Sequence, residues 1–140
     1  MRFWDASAVV PLICEETASS KTVQLYQEDR QVLVWTLTVA EVISALCRKL
    51  REGSLDRQLF RSCRRSLQLL SEDWKEVQVI DLVRERAHRL LETHPLRAAD
   101  ALQLGAALVA TEDQPNGFGF ITCDELLGTA AEKEGFAVLP

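Results

Sequence analysis

Residues 96–110, LRAADALQLGAALVA, place the tightest constraint on this chain. The stretch is apolar on nearly every face, and a helix without a polar face is buried in the middle of a globular domain rather than lying on its surface. Asp100 sits inside it. A carboxylate is rarely buried without a hydrogen bond, an opposite charge or a metal to compensate it, and departures of that kind tend to fall at functional sites. Asp100 also has a purely structural reading: with Gln103 three residues on, it can act as N-cap and capping-box partner for a helix starting at Ala101. The remaining acids decide between the two.

A length of 140 residues is enough for one domain, residues 1–140, with a core of its own, and 47% hydrophobic against 26% charged residues is ordinary for a globular fold. The net charge of -5 excludes a protein that holds nucleic acid by bulk electrostatics alone, so a local basic patch or bound cations would have to compensate. Cys14, Cys47, Cys63 and Cys123 show no paired spacing of the zinc or dithiol kind and read as reduced, mostly core thiols. The start, MRFWDASAVV, lacks the pattern of a signal peptide, and no apolar run reaches membrane-spanning length. A cytoplasmic protein with no membrane segment is the expectation.

Arg2 to Trp4 reads as a short strand, with Asp5 to Ser7 turning into a helix whose first turn accommodates Pro11. Thr17 to Asp29 is expected as a helix with Val23, Tyr26 and Leu25 inward. Gln31 to Trp35 is a continuous apolar strand of the buried parallel kind. Thr38 and Glu41 have the T-x-x-E spacing of a capping box before a helix that Gly53 ends. Leu55 to Glu72 forms the next helix, with Leu59, Cys63, Leu67 and Leu70 as its core face. Glu76 to Ile80 is the following strand, and Asp81 then caps a helix. The polar run TEDQPNGFG leads to a strand at Phe120 and Ile121, a helix from Glu125 to Glu134 and a closing strand from Phe136 to Leu139. Strands alternating with helices through short turns predict an α/β fold, a three-layer α/β/α sandwich around a mostly parallel central sheet.

In that arrangement Asp5, Glu41 and Asp124 share one address, each just past a strand at the start of the following helix. Such positions converge beyond the carboxyl ends of parallel strands, where open α/β sheets bind ligands. Asp100 joins them if its helix crosses the same edge. Capping explains each acid separately but gives no reason for them to gather. Carboxylates gathered within about 4–6 Å repel one another unless a cation neutralises them. His88 and His94 are the only histidines, both away from these positions and read as surface residues. An all-oxygen set points to Mg²⁺ or Mn²⁺, ions that also bind phosphates.

FWDASAVVPL, TVAEVISAL, LRAADALQLGAAL and FITCDELLGTAAEKEGF resemble, in order and across the whole chain, the four motifs of the PIN-domain nucleases. The resemblance implies that Asp5, Glu41, Asp100 and Asp124 are an acidic metal-site quartet, with Ser7 and Thr122 as polar supports. It is strongest toward the VapC-type toxins, which implies a Mg²⁺- or Mn²⁺-dependent endoribonuclease acting on RNA, a homodimer, and a small antitoxin protein as cognate inhibitor. Two positions depart from the pattern: Gln103 stands where many relatives carry His, and Gly105 where Ala is usual. Neither removes a carboxylate.

The reaction so implied is hydrolysis of an RNA phosphodiester by metal-activated water, with no side-chain nucleophile. Because the acids repel RNA, attraction must come from elsewhere. Between Arg48 and Arg65, seven basic residues face two acidic ones, and Arg48, Lys49, Arg57, Arg61, Arg64 and Arg65 are the candidate phosphate contacts. A solvated helix face is the structural alternative for that run. Trp4, Trp35 and Trp74 read as core or interface residues rather than base-stacking platforms. The competing functional reading is a catalytically weak PIN-like RNA-binding or scaffold subunit, against which the intact quartet counts.

Overall fold

Side chains alternate across a strand, so a sheet whose successive residues are all apolar must be covered on both faces. The computed structural model, which describes residues 1–140, is built on that consequence. Strand β2 (Val32–Trp35) is buried at every residue, and in β1 (Arg2–Trp4) and β4 (Gly119–Ile121) Phe3, Trp4, Phe120 and Ile121 are fully buried. With β3 (Lys75–Val77) and β5 (Ala137–Leu139) they form a five-stranded sheet of order β3-β2-β1-β4-β5. Every pairing is parallel, with Phe3 opposite Leu33 and Phe120, and Trp4 opposite Ile121.

One face packs on α1 (Ala6–Ile13), α2 (Ser19–Glu28), α3 (Thr38–Glu52) and α4 (Arg57–Asp73), through Trp4, Val32, Val34 and Ile121. The other packs on α5 (Ile80–Thr93), α6 (Ala98–Ala110) and α7 (Glu125–Glu134), through Phe3, Leu33, Trp35 and Phe120. The α/β sandwich expected from the sequence is therefore present, with its sheet wholly parallel. The three tryptophans are buried, as expected. Gly105 brings α6 against α5: a Cβ there would stand 2.9 Å from the Val83 carbonyl oxygen and 3.2 Å from the Ala87 nitrogen. The glycine in place of alanine is thus a close-approach position, where backbone meets backbone.

Several local readings are corrected. Pro11 lies beyond the first turn of α1, inside the helix. In α2 Leu25 is buried as expected, but Thr22 takes the inward place expected of Val23, its hydroxyl donating to the Ala18 carbonyl. α4 buries Cys63 and Leu67, with Phe60 and Leu70 partly buried beside them, so Leu59, one residue round the helix from Phe60, stays exposed. β3 ends at Val77 because its partner β2 ends opposite it at Trp35, which leaves Val79 and Ile80 in solvent. Asp81 does not cap α5; it pairs with exposed Arg84 on the helix surface. His94 is buried rather than on the surface, its Nε2 lying 2.7 Å from Glu134 Oε1, so that a carboxylate partner compensates the burial. Cys14 and Cys63 are not free thiols but a disulfide that ties the end of α1 to α4, leaving Cys47 and Cys123 free.

Candidate active site

At the carboxyl edge of the two central strands the chain turns twice into a helix, and the two turns are wired together. Asp5 ends β1 and caps α1, accepting from the Ser7 N–H at 3.1 Å (Oδ2) and from the Ser7 hydroxyl at 2.8 Å (Oδ1). With its proton committed to Asp5, the Ser7 hydroxyl acts as acceptor toward its other neighbours. It takes the Cys123 N–H at 2.8 Å and the Thr122 hydroxyl at 3.3 Å. The Thr122 oxygen in turn accepts the Asp124 N–H at 3.0 Å, and Asp124 Oδ1 caps α7 through the Leu127 N–H at 2.8 Å. The β1 to β4 register therefore fixes both aspartates at once.

The opposite wall comes from helices. Thr38 and Glu41 do not form a capping box: Leu37 is the N-cap residue of α3 and makes no side-chain cap. Both instead meet Gln103 of α6, whose amide nitrogen donates to Glu41 Oε1 at 3.1 Å and to Thr38 Oγ1 at 3.2 Å. Asp100 is not an N-cap either. α6 starts earlier, at Ala98, and Asp100 lies in its first turn, accepting the Arg97 N–H at 3.4 Å. The chain is extended at Arg97, the N-cap residue, and Asp100 serves as the third helical residue of a capping box that reaches back to it.

Asp5, Glu41, Asp100 and Asp124 all line one cleft of about 810 Å³. None of the four forms a salt bridge. Burial pushes Asp5, which is only 4% exposed, up to about 6, against the lowering effect of the Ser7 bonds. Glu41 is raised to about 7, first by burial and then by the charges of Asp5 and Asp100, with the Gln103 bond opposing. Asp100 is raised by burial and by the charge of Asp124. The repulsion links acids across the two walls of the cleft.

No three of the chain's His, Cys, Asp and Glu side chains stand close enough to hold a metal ion as they are placed. The donor chemistry still fits a hard divalent cation, because Asp5, Glu41, Asp100 and Asp124 all offer oxygen to the cleft and no side-chain cation pairs with any of these four. Glu41, Asp100 and Asp124 each have one oxygen engaged by the protein and the other free of hydrogen bonds to it.

Of the basic candidates, Arg48 and Lys49 line the same cleft, whereas Arg57, Arg61, Arg64 and Arg65 of α4 do not. Lys49 is paired with Glu16, also in the cleft, and Arg48 forms no salt bridge. The sequence reading did not find this pairing or the contact from Gln103 to Glu41. A lone amide at a fully buried position of an otherwise apolar helix was the signal for the second.

A family profile described as PIN domain matches residues 2–133. Two ribonucleases of Mycobacterium tuberculosis are similar over nearly the whole chain: Ribonuclease VapC45 of strain CDC 1551 and Ribonuclease VapC49 of strain H37Rv. Each is 30% identical over 138 residues, covering 99% of this chain and 94% of the relative.

Proposed function

The chain belongs to the PIN-domain family, and from that premise we propose that it is a Mg²⁺- or Mn²⁺-dependent endoribonuclease, the toxin of a toxin–antitoxin pair, with residues 1–140 acting as one nuclease domain. The observation that carries the reading is the cleft in which Asp5, Glu41, Asp100 and Asp124 face one another without a salt bridge. Asp5, Asp100 and Asp124 would hold the cation, with Glu41 beside them, and Ser7 and Thr122 would keep the sheet-side pair in place. When bound, the cation supplies a Lewis acid for the scissile phosphate and lowers the pKa of water.

The chain's own contribution is orientation and proton handling. Glu41, held at Oε1 by Gln103 with Oε2 free on the cleft, would act beside the cation as a ligand or as general base toward the attacking water. Arg48 sits two helical turns from Glu41 on the cleft face of α3, roughly 10 Å along the axis, in reach of a phosphate beside the scissile one. The α4 arginines would extend that contact outside the cleft. The partners that complete the reading are RNA as substrate, a small antitoxin protein as inhibitor and a second copy of the chain. No helix is long and apolar enough to cross a membrane, and the reading places the protein in the cytoplasm.

The test is cleavage of total RNA by the purified protein in Mn²⁺, in Mg²⁺ and in chelator, beside an identically prepared Asp100→Asn variant. Cation-dependent fragments absent from the variant are the expected result. RNA binding without cleavage by protein shown to be free of a copurified inhibitor would assign the scaffold reading instead.

A further inference from the structure

We propose that Gln103 is the positioning residue that orients Glu41 toward the cation, and the inference rests on the reading of the cleft given above. Gln103 lies at a fully buried position of α6, 1% exposed, among side chains that are otherwise apolar. Its two N–H groups are both spent on α3: one on Glu41 Oε1 at 3.1 Å, the other on Thr38 Oγ1 at 3.2 Å. Thr38 and Glu41 are three residues apart, so they lie on one face of the helix and a single planar amide spans them. The Thr38 hydroxyl also approaches the amide carbonyl, at 3.5 Å. Turning the amide over would lose both donors and set its carbonyl oxygen against the Glu41 carboxylate, so its orientation is fixed.

The consequence falls on Glu41. A glutamate has three side-chain torsions, and freezing them costs conformational entropy when it must be done on binding. Here the amide holds Oε1 in advance and leaves Oε2 without a protein partner, on a residue that lines the cleft. Groups that hydrogen-bond a ligating side chain in this way commonly set metal affinity by about 10–100-fold. The position demands a neutral donor. A second carboxylate would repel Glu41, and an apolar side chain would release it.

The experiment is direct calorimetric titration of the intact protein with Mn²⁺ alone, in the absence of RNA. It compares wild type, Gln103→Met, Gln103→His and Thr38→Val, with Glu41→Gln as the floor. Gln103→Met keeps the side chain's length and removes its donors. The expected result is Mn²⁺ binding about tenfold weaker in Gln103→Met, with its melting temperature near wild type, and a return to within about threefold in Gln103→His, which restores an N–H. Cleavage should then need more Mn²⁺ at an unchanged KM for RNA. Wild-type affinity in Gln103→Met, or a His variant no tighter than the Met variant, overturns the proposal. If Gln103→Met does not fold, Thr38→Val, which frees the far end of the amide, decides: unchanged affinity there rejects the role. A wild type that binds no Mn²⁺ while Glu41→Gln is equally inert rejects the metal-site reading itself, and this inference with it.

Discussion

On the sheet side of the cleft, Asp5 and Asp124 are joined by a continuous run of hydrogen bonds through Ser7, Thr122 and the Cys123 N–H, while on the helix side Glu41 hangs from one amide and Asp100 from a single 3.4 Å bond. The difference follows from what carries each wall. β1 and β4 are neighbours in one sheet, so the register that pairs Trp4 with Ile121 also sets the spacing of the turns that follow. α3 and α6 belong to opposite layers and meet only where their ends cross the sheet edge. One wall is therefore fixed by backbone pairing and the other by side-chain packing. A cation in the cleft would face a sheet-side pair fixed by backbone pairing and, opposite it, Glu41 held at one oxygen by Gln103 and Asp100 held by one long bond, each with its other oxygen free.

The largest expected effect separates the two walls. Asp5→Asn and Asp124→Asn should lower cleavage by about a thousandfold or more, the several kcal/mol that a bound cation contributes to the transition state. Glu41→Gln and Asp100→Asn should lose activity too, yet regain part of it at high Mn²⁺, because their wall adapts. Cleavage rates across a Mn²⁺ series measure this. Rescue of the sheet-side variants but not the helix-side ones would reverse the assignment of fixed and adaptable walls.

Stability against pH comes next in size. Asp5 and Glu41 have folded-state pKa values of about 6 and about 7, above their ordinary carboxylate values. The native state therefore holds protons that the unfolded chain has already released. Their contribution is full below pH 4 and is lost as pH rises toward 7. Asp29, Asp113 and Glu134 are shifted downward, so their opposing effect is complete by pH 5. Without divalent cation, unfolding free energy should fall by on the order of 2 kcal/mol between pH 5 and pH 8, Glu41 counting for less than its shift because water reaches it. Added Mn²⁺ should raise the melting temperature more at pH 8 than at pH 5. A flat profile in chelator would mean that burial does not hold Asp5 and Glu41 protonated above the usual carboxylate range.

The same division marks what could be read from the chain alone. Asp5 and Asp124 were legible because the feature that places them, an apolar strand running into a polar turn and a helix, is local. Thr38 and Glu41 have the spacing of a capping box, and that local pattern pointed the wrong way because their actual partner, Gln103, is 62 residues further on from Glu41. Asp100 reads as an N-cap only if α6 begins after it, and no residue nearby signals the earlier start at Ala98. His94 was placed on the surface for a related reason: what pays for its burial is Glu134, 40 residues away in another helix. Periodicity recovers which face of a helix is apolar. It carries no information on which polar group of a distant element will be waiting there.

Gly105 tests how closely the adaptable wall is held. Gly105→Ala should cost about 1–3 kcal/mol in urea unfolding, since its Cβ meets the backbone of Val83 and Ala87, which cannot rotate away. Gly128→Ala on α7 is the matched control, its nearest neighbours being side chains of Thr122 and Val138 at 3.4 Å, and should be near neutral. If α6 is displaced rather than merely strained, the Gly105 variant will also need more Mn²⁺ for cleavage. Equal stabilities for the two variants would show that α5 and α6 yield more readily than their packing implies.

The smallest effect concerns the substrate rather than the protein. Lys49 is held by Glu16, so of the two basic residues in the cleft only Arg48 is free to meet RNA, and it stands on the helix that also carries Glu41. Arg48→Ala should therefore weaken RNA binding modestly and reduce the slope of log K against log salt by about 0.7, the value for one phosphate contact on a single strand. Measured on the Asp100→Asn background, the slope is free of cleavage. Arg64→Ala, outside the cleft on α4, should leave the pattern of cut sites unchanged even if it lowers affinity, whereas Arg48→Ala should blur it by loosening the strand beside the scissile phosphate. The opposite outcome would move the RNA path off α3 and onto α4, and the adaptable wall would then close on the cation without guiding the strand.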